Sequence, residues 1–76
     1  GGDCDMSKIA FKCVDGVIYT ANLISFSGAD RFVVKNLKTV NGNINLEVPN
    51  MKSAGSYYMG ETTVYKDKLI WYYIEE

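Results

Sequence analysis

Apolar and polar side chains alternate along most of the chain with a period of two, which is the spacing of half-buried β-strands. Residues 8–14 place alternate apolar side chains on one face, and residues 17–24 repeat the pattern. Between these runs lies Asp15-Gly16, a dipeptide typical of two-residue hairpin turns. The pattern therefore predicts a β-hairpin near the start of the chain.

The same kind of pattern continues to the end of the chain. Residues 31–38 form a third apolar run, and residues 43–48 alternate cleanly after the turn-forming pair Asn41-Gly42. Pro49 ends that strand because proline cannot donate to a ladder. Shorter runs rich in aromatic and β-branched residues follow at 57–59, 62–65 and 68–74. No window shows an apolar period of 3.6 residues, so no helix longer than a turn is predicted.

These runs predict an all-β fold, a small antiparallel meander that closes into a barrel of about seven to eight strands. Closure is expected because so many short strands in an open sheet would leave vulnerable edges. A chain of 76 residues has room for one domain, so residues 1–76 are assigned to a single β-barrel domain. Residues 1–7 precede the first strand and are expected to form a flexible N-terminal segment.

Composition and charge narrow the function classes. The net charge is -1, from eight basic and nine acidic residues interspersed along the chain, so the basic excess typical of nucleic-acid binding is missing. The longest apolar cluster, residues 69–74, is the length of a strand and too short to span a membrane. We therefore expect that the domain neither binds nucleic acid nor spans a membrane, and that its partner is another protein.

Two cysteines, Cys4 and Cys13, stand nine positions apart. A disulfide between them is expected, and in the chain-entropy model it would contribute about 3 kcal/mol to a small core. The alternative is two independent thiols, with Cys13 buried on a strand. A metal site is not expected because the chain has no His and no second Cys pair. The chain begins at Gly1 without Met, which suits either a trimmed chain or a secreted protein that has lost its signal peptide.

Catalysis is not predicted, and neither is a cofactor. His is absent, and no Ser, Cys or Lys lies beside an evident general base. No glycine-rich phosphate loop is present either. The least core-like part of the chain is instead the polar loop and aromatic run from 49 to 65. Tyr57 and Tyr58 are consecutive there, so one ring should face solvent, unless both pack at a barrel rim. In the last run, most of the aromatic side chains are expected in the core.

The order of several motifs carries a family resemblance. Phe11-Lys12-Cys13 is followed by the Asp-Gly turn, by Ser-Ala-Gly-Ser-Tyr-Tyr at 53–58 and by Tyr65-Lys66-Asp67. This order resembles the bacterial periplasmic or membrane-bound inhibitors of c-type lysozyme, small antiparallel β-barrels with an aromatic-x-Cys strand and a Ser-Gly-x-x-Tyr motif. Ala54 occupies the position of the family's Ser, and Asp67 occupies that of the Gly after its Lys.

The resemblance implies a periplasmic or secreted inhibitor whose polar loop enters the lysozyme cleft. There a hydroxyl and a cation would bind the catalytic carboxylates through charge-assisted hydrogen bonds. The expected partner-binding residues are Ser53, Ser56, Tyr57, Tyr58, Lys66 and Lys68.

Two other hypotheses stay open. The domain could be an adaptor or assembly module that pairs edge strands or aromatic patches with another protein. Less favoured is a small oligonucleotide-binding barrel that uses Lys66 and Lys68 near aromatic rings.

Overall fold

The computed structural model describes residues 7–46 and 55–75, and these residues form an antiparallel β-fold without an α-helix. This confirms the all-β prediction. The strands are β1 Ser7–Cys13, β2 Ile18–Gly28, β3 Arg31–Thr39, β4 Tyr57–Tyr58, β5 Thr62–Tyr65 and β6 Leu69–Glu75, with a 3₁₀ turn at Lys66–Lys68 between β5 and β6. The first strand begins within the predicted N-terminal segment, and residues 1–6 lie outside the described residues.

The six strands form one sheet in the order β4-β3-β2-β1-β6. β5 also pairs with β3, on the same side as β4: β4 lies beside Leu37 and Lys38, and β5 lies beside residues 31–34. β3 is therefore flanked by β2 on one side and by two short collinear strands on the other. The described sheet is open, since β6 pairs only with β1, so the predicted closed barrel of seven to eight strands is not observed.

The predicted first hairpin is present and has a specific turn. Gly16 has a φ of 93°, a left-handed value that a side chain would strain. Asp15 Oδ1 accepts a hydrogen bond from the Val17 N–H at 3.0 Å. These local interactions set the register in which Lys12 pairs with Ile18.

The core lies on one face of the curled sheet. The rings of Phe11 and Tyr19 stack with their centroids 5.1 Å apart, and the Phe32 ring meets Phe11 edge-on at 5.8 Å. Phe11 is on β1 and Phe32 is on β3, two strand spacings away or about 10 Å in a flat sheet. The sheet must therefore curl strongly to bring these rings together. The buried apolar residues are Ile9, Phe11, Cys13, Val17, Tyr19, Ala21, Phe32, Val34, Leu37, Ile44 and Val64.

The predicted strand at 43–48 is not a strand over its described part, residues 43–46. Ile44 is nevertheless buried, as its inward position in the alternating pattern predicts. Its N–H donates to the Gly55 carbonyl oxygen, and the Asn45 N–H donates to the Tyr19 hydroxyl at 2.9 Å. The segment covers the core through single contacts and not through a ladder; residues 47 and 48 lie outside the described residues.

The predicted disulfide is not formed at Cys13, which is a free and buried thiol. Its side chain lies on the core face of β1, beside the Leu69 position of β6. Cys4 lies outside the described residues. Cys13 therefore acts as a small apolar core residue, which was the alternative prediction.

Candidate functional site

The first of two unusual surfaces is formed by β6, the last strand. Four consecutive large side chains of β6 are between 41% and 65% exposed: Ile70, Trp71, Tyr72 and Tyr73. The sequence predicted most of them in the core, and this is wrong because nothing among the described strands pairs with the outer edge of β6. The predicted alternation holds in part, since Tyr72 and Ile74 lie opposite Phe11 and Ile9 of the core.

The two edges of the sheet differ in their capacity to pair with another strand. β4 has two residues and β5 has four, and a three-residue break separates them. β6 has seven residues and contains neither Pro nor Lys, the residues that commonly protect an edge. Its free edge is thus the longest unprotected one among the described strands.

The second unusual surface is the face of the sheet opposite the core, called the outer face here. Residues directly opposite each other in an antiparallel ladder lie on one face. One row across five strands consists of Tyr73 on β6, Ala10 on β1, Thr20 on β2, Lys38 on β3 and Tyr57 on β4. Two aromatic rings therefore stand at the ends of a row whose centre has small side chains.

Neighbouring rows add charge and hydrogen-bonding groups. On one side of the central row, register places Glu75, Lys8, Asn22 and Lys35 side by side. On the other side, Trp71, Lys12 and Ile18 are aligned. The outer face thus combines aromatic rings, four lysines and amide groups.

The central row and part of the Glu75 row line an open depression of about 540 Å³, called the outer-face trough here. Tyr57 and Tyr73 line it at opposite sides, together with Lys8, Lys38, Asn22, Asn36 and Glu75. The Lys38 ammonium lies 5.6 Å from the centroid of the Tyr57 ring, within the range of a cation–π contact.

A bulge in β3 positions one amide of the trough. Asn36 has a φ of 56°, and the pairing of β2 with β3 shifts by one residue between Thr20 and Asn22. The extra residue leaves Leu37 in the core while Asn36 stays on the outer face, where its Nδ2 donates to Asn22 Oδ1 at 2.9 Å. Asn is one of the few side chains that tolerate this left-handed conformation.

The charged groups of the described residues are segregated. Lys8, Lys12, Lys35 and Lys38 project from the outer face, and Glu75 is the one carboxylate that shares their rows. The other described carboxylates belong to the connections between strands: Asp15, Asp30, Glu61 and Asp67. The net charge of the whole chain is near zero, but the outer face formed by the described residues is locally basic.

The structure separates residues that the sequence assigned to one partner-binding site, a loop at 53–58 assisted by Lys66 or Lys68. Ser56 is exposed at one end of β3, where its carbonyl accepts from the Thr39 N–H. Lys66 lies at the other end, where its N–H donates to the Asp30 carbonyl. Nine residues of extended chain separate Asp30 from Thr39, or about 30 Å. Ser53 lies outside the described residues.

The remaining predicted residues have distinct environments. Tyr57 is exposed on the outer face, whereas Tyr58 packs against the core and its ring approaches Gly60 so closely that a side chain there would clash. The Lys66 ammonium lies 5.3 Å from the Phe26 ring and 5.4 Å from the Tyr72 ring. Lys68 is exposed, and its carbonyl accepts from the Val14 N–H. Lys66 is therefore held between two rings.

Residues that sequence reasoning missed include Lys8, Asn22, Lys38 and Tyr73. They are spread over four strands, and only strand order and register bring them onto one face. The signal available in the sequence was the placement of lysines at the polar positions of β1 and β3, alternating with core residues.

Several titratable groups of the described residues have shifted pKa values. Burial, and then the negative charge of Asp15, raise the pKa of Cys13 to about 11, which leaves its thiol protonated and unreactive at neutral pH. Burial likewise raises the pKa of Tyr19. A hydrogen bond from Arg31 lowers the pKa of Asp30 in the β2–β3 turn. Each shift has a structural origin in packing or in a turn.

No protein family, curated protein or solved structure matches this chain. Among the described residues, no helix has the length and apolar character needed to cross a membrane. Over the same residues, no group of three or more carboxylate or thiol side chains is placed to hold a metal ion.

Proposed function

We propose that this domain is a non-enzymatic binding module that takes up an extended segment of another protein along the free edge of β6. The observation that supports this proposal is the combination of an edge with which no described strand pairs and four consecutive exposed large side chains. Alternate backbone N–H and C=O groups of an edge strand point away from the sheet and pair readily with an added strand.

The side chains of β6 define the chemistry of the partner segment. Trp71 and Tyr73 lie on the outer face, and Tyr72 lies on the core face beside Phe11. A strand added next to β6 would place its own alternate residues beside these rings. Cross-strand pairs of aromatic and β-branched residues are favourable, so the segment should carry such residues at alternate positions.

A displayed peptide library selected on the domain tests this proposal. Selected peptides should share an alternating aromatic or β-branched pattern, and their binding should slow hydrogen exchange of the β6 amides. Selection of peptides that protect another strand would contradict the proposal.

A matched pair of substitutions isolates the edge. Ile70→Lys places a charge on the edge strand, where such charges block pairing, and should weaken peptide binding at least tenfold. Val40→Lys changes an equally exposed aliphatic residue outside β6 and should leave binding unchanged. Equal affinity of the two variants would remove β6 as the site.

Inhibition of a c-type lysozyme is a second proposal, supported by the base of one loop. The Ile44 N–H donates to the Gly55 carbonyl, so the two ends of the segment between these residues are held together. Exposed Ser56 and Tyr57 follow directly. A loop with a fixed base loses less entropy on entering a cleft than a free one.

Lysis of bacterial cell walls by a c-type lysozyme, with increasing amounts of the domain, tests this second proposal. The loop would be assigned as the site if Ser53→Ala or Tyr57→Ala weakens a stoichiometric inhibition that the control Val14→Ala, at an exposed residue of the first turn, leaves unchanged. Full lysis at micromolar protein would exclude it. A lysozyme of another type serves as the control enzyme.

A further inference from the structure

We propose that the outer face binds a short single-stranded oligonucleotide along the outer-face trough. Bases would stack on Tyr73 and Tyr57 in the trough and on Trp71 in the neighbouring row, and phosphates would be held by Lys8 and Lys38 and, in that neighbouring row, by Lys12. This site shares Trp71 and Tyr73 with the β6 surface, but it uses the face of the sheet and not the backbone groups of the β6 edge. Lys66 is not part of it, since its ammonium lies near the rings of Phe26 and Tyr72.

Charge complementarity is the first argument. Four lysines share the outer face with a single carboxylate among the described residues, while the remaining described carboxylates lie in the connections between strands. Phosphate contacts depend on the local potential, so a locally basic face can bind a polyanion even when the net charge is -1.

The aromatic rings distinguish a base-containing ligand from other polyanions. Tyr73 is 65% exposed, and Trp71 and Tyr57 are each 42% exposed. Trp71 and Tyr73 are two residues apart on one strand, about 7 Å, and share a face. Exposed rings at such spacing on a sheet are the platforms on which successive bases stack.

The dimensions of the trough set the length of the ligand. Tyr73 and Tyr57 are four strand spacings apart, or about 19 Å measured along the curled sheet. At the stacked spacing of about 3.4 Å per nucleotide this distance covers about five nucleotides, and fewer if the strand is extended. Between the rings, the small side chains of Ala10 and Thr20 leave room for the chain.

The amides at the centre can contact base edges. Asn36 Nδ2 donates to Asn22 Oδ1, and the amide nitrogen of Asn22 and the amide oxygen of Asn36 provide further donors and an acceptor. Unpaired bases expose their Watson–Crick and Hoogsteen edges to hydrogen bonds, and an Asn amide can both donate and accept there. Duplex DNA should bind less well, because its bases are already stacked and paired.

Quenching of tryptophan fluorescence provides a direct readout, since Trp71 is the only Trp in the chain. Titration with an oligothymidine of six nucleotides should quench the emission. The logarithm of the binding constant should fall with the logarithm of the salt concentration with a slope of about -2 to -3, as expected for three to four phosphate contacts.

Matched variants separate stacking from charge. Tyr73→Ala should weaken binding about 5- to 100-fold, whereas Tyr65→Ala, at a ring on β5 beside Arg31 of β3, should not. Lys38→Gln should reduce the magnitude of the slope of the binding constant against salt by about 0.7, whereas Lys68→Gln should not.

Ile70→Lys should leave oligonucleotide binding intact, so failure of the β6 proposal can be told apart from failure of this one.

Three outcomes would overturn the proposal. The first is equal binding of polyphosphate, together with an unchanged affinity in Tyr73→Ala, which would show a purely electrostatic surface. The second is equal quenching by a neutral chito-oligosaccharide, which would make the trough a sugar site. The third is the absence of quenching at low salt.

Discussion

The side chains of Asp15 and Asn45, 30 residues apart in the chain, are joined by a 2.7 Å hydrogen bond from Asn45 Nδ2 to Asp15 Oδ2. The other carboxylate oxygen of Asp15 accepts from the Val17 N–H. One side chain therefore shapes the first turn and also anchors the segment that covers the core.

Asp15→Ala should lower the free energy of unfolding by about 1 to 2 kcal/mol at pH 7, since two hydrogen bonds to a charged group are lost. The Val17 N–H, and then the Asn45 amide, lower the pKa of Asp15 below 3.8. Its contribution is therefore present above pH 4 and is lost as the pH falls through the lowered pKa. Urea unfolding at several pH values checks this: the difference between wild type and Asp15→Ala should shrink below pH 4, and a constant difference would contradict it.

Tyr19→Phe removes the hydroxyl that accepts from the Asn45 N–H at 2.9 Å. Tyr19 is fully buried, so the ring should repack in place while the amide loses its partner. We expect a loss of about 1 to 2 kcal/mol in the free energy of unfolding. Thermal unfolding measures it, with Tyr65→Phe as the control at an exposed ring; equal stability of both variants would argue against the bond.

Thr62→Val should leave the free energy of unfolding unchanged or raise it by up to about 1 kcal/mol. The Thr62 hydroxyl is buried and has no hydrogen-bond partner among residues 7–46 and 55–75, and Val has nearly the same shape without the polar atom. Thr63→Val, one position along β5 and exposed, is the matched control. Denaturant unfolding compares the two variants. A marked loss of stability in Thr62→Val would mean that the Thr62 hydroxyl has a hydrogen-bond partner in solution.

The Cys13 thiol should resist modification in the native state. It is buried, and its pKa of about 11 leaves little thiolate at pH 8. A thiol reagent should label Cys13 slowly in buffer and rapidly in denaturant, as peptide mapping would show. Absence of labelling in denaturant without a reducing agent would instead indicate that Cys13 is oxidised in the isolated protein.

Local patterns in the sequence predicted the all-β class, the first hairpin and its turn, because these depend on neighbouring residues. The alternation at Ile44 correctly indicated burial, but its backbone bonds to Gly55 outside any described ladder. The outer-face trough could not be predicted, because Tyr73, Ala10, Thr20 and Lys38 become neighbours only through strand order. The exposure of β6 was missed for a related reason: closure of the barrel was assumed, and a closed barrel has no edge.

The pairing of β1 with β6 joins Lys8 to Glu75, almost the full length of the described chain. Contacts between residues so distant in sequence close a large loop, which slows folding. During synthesis, β1, β2 and β3 can pair as soon as they emerge, but β6 must wait until nearly all the described residues have been made. Trp71 and Tyr73 therefore reach the outer face last, so both proposed binding surfaces would be complete only in a chain that has finished folding.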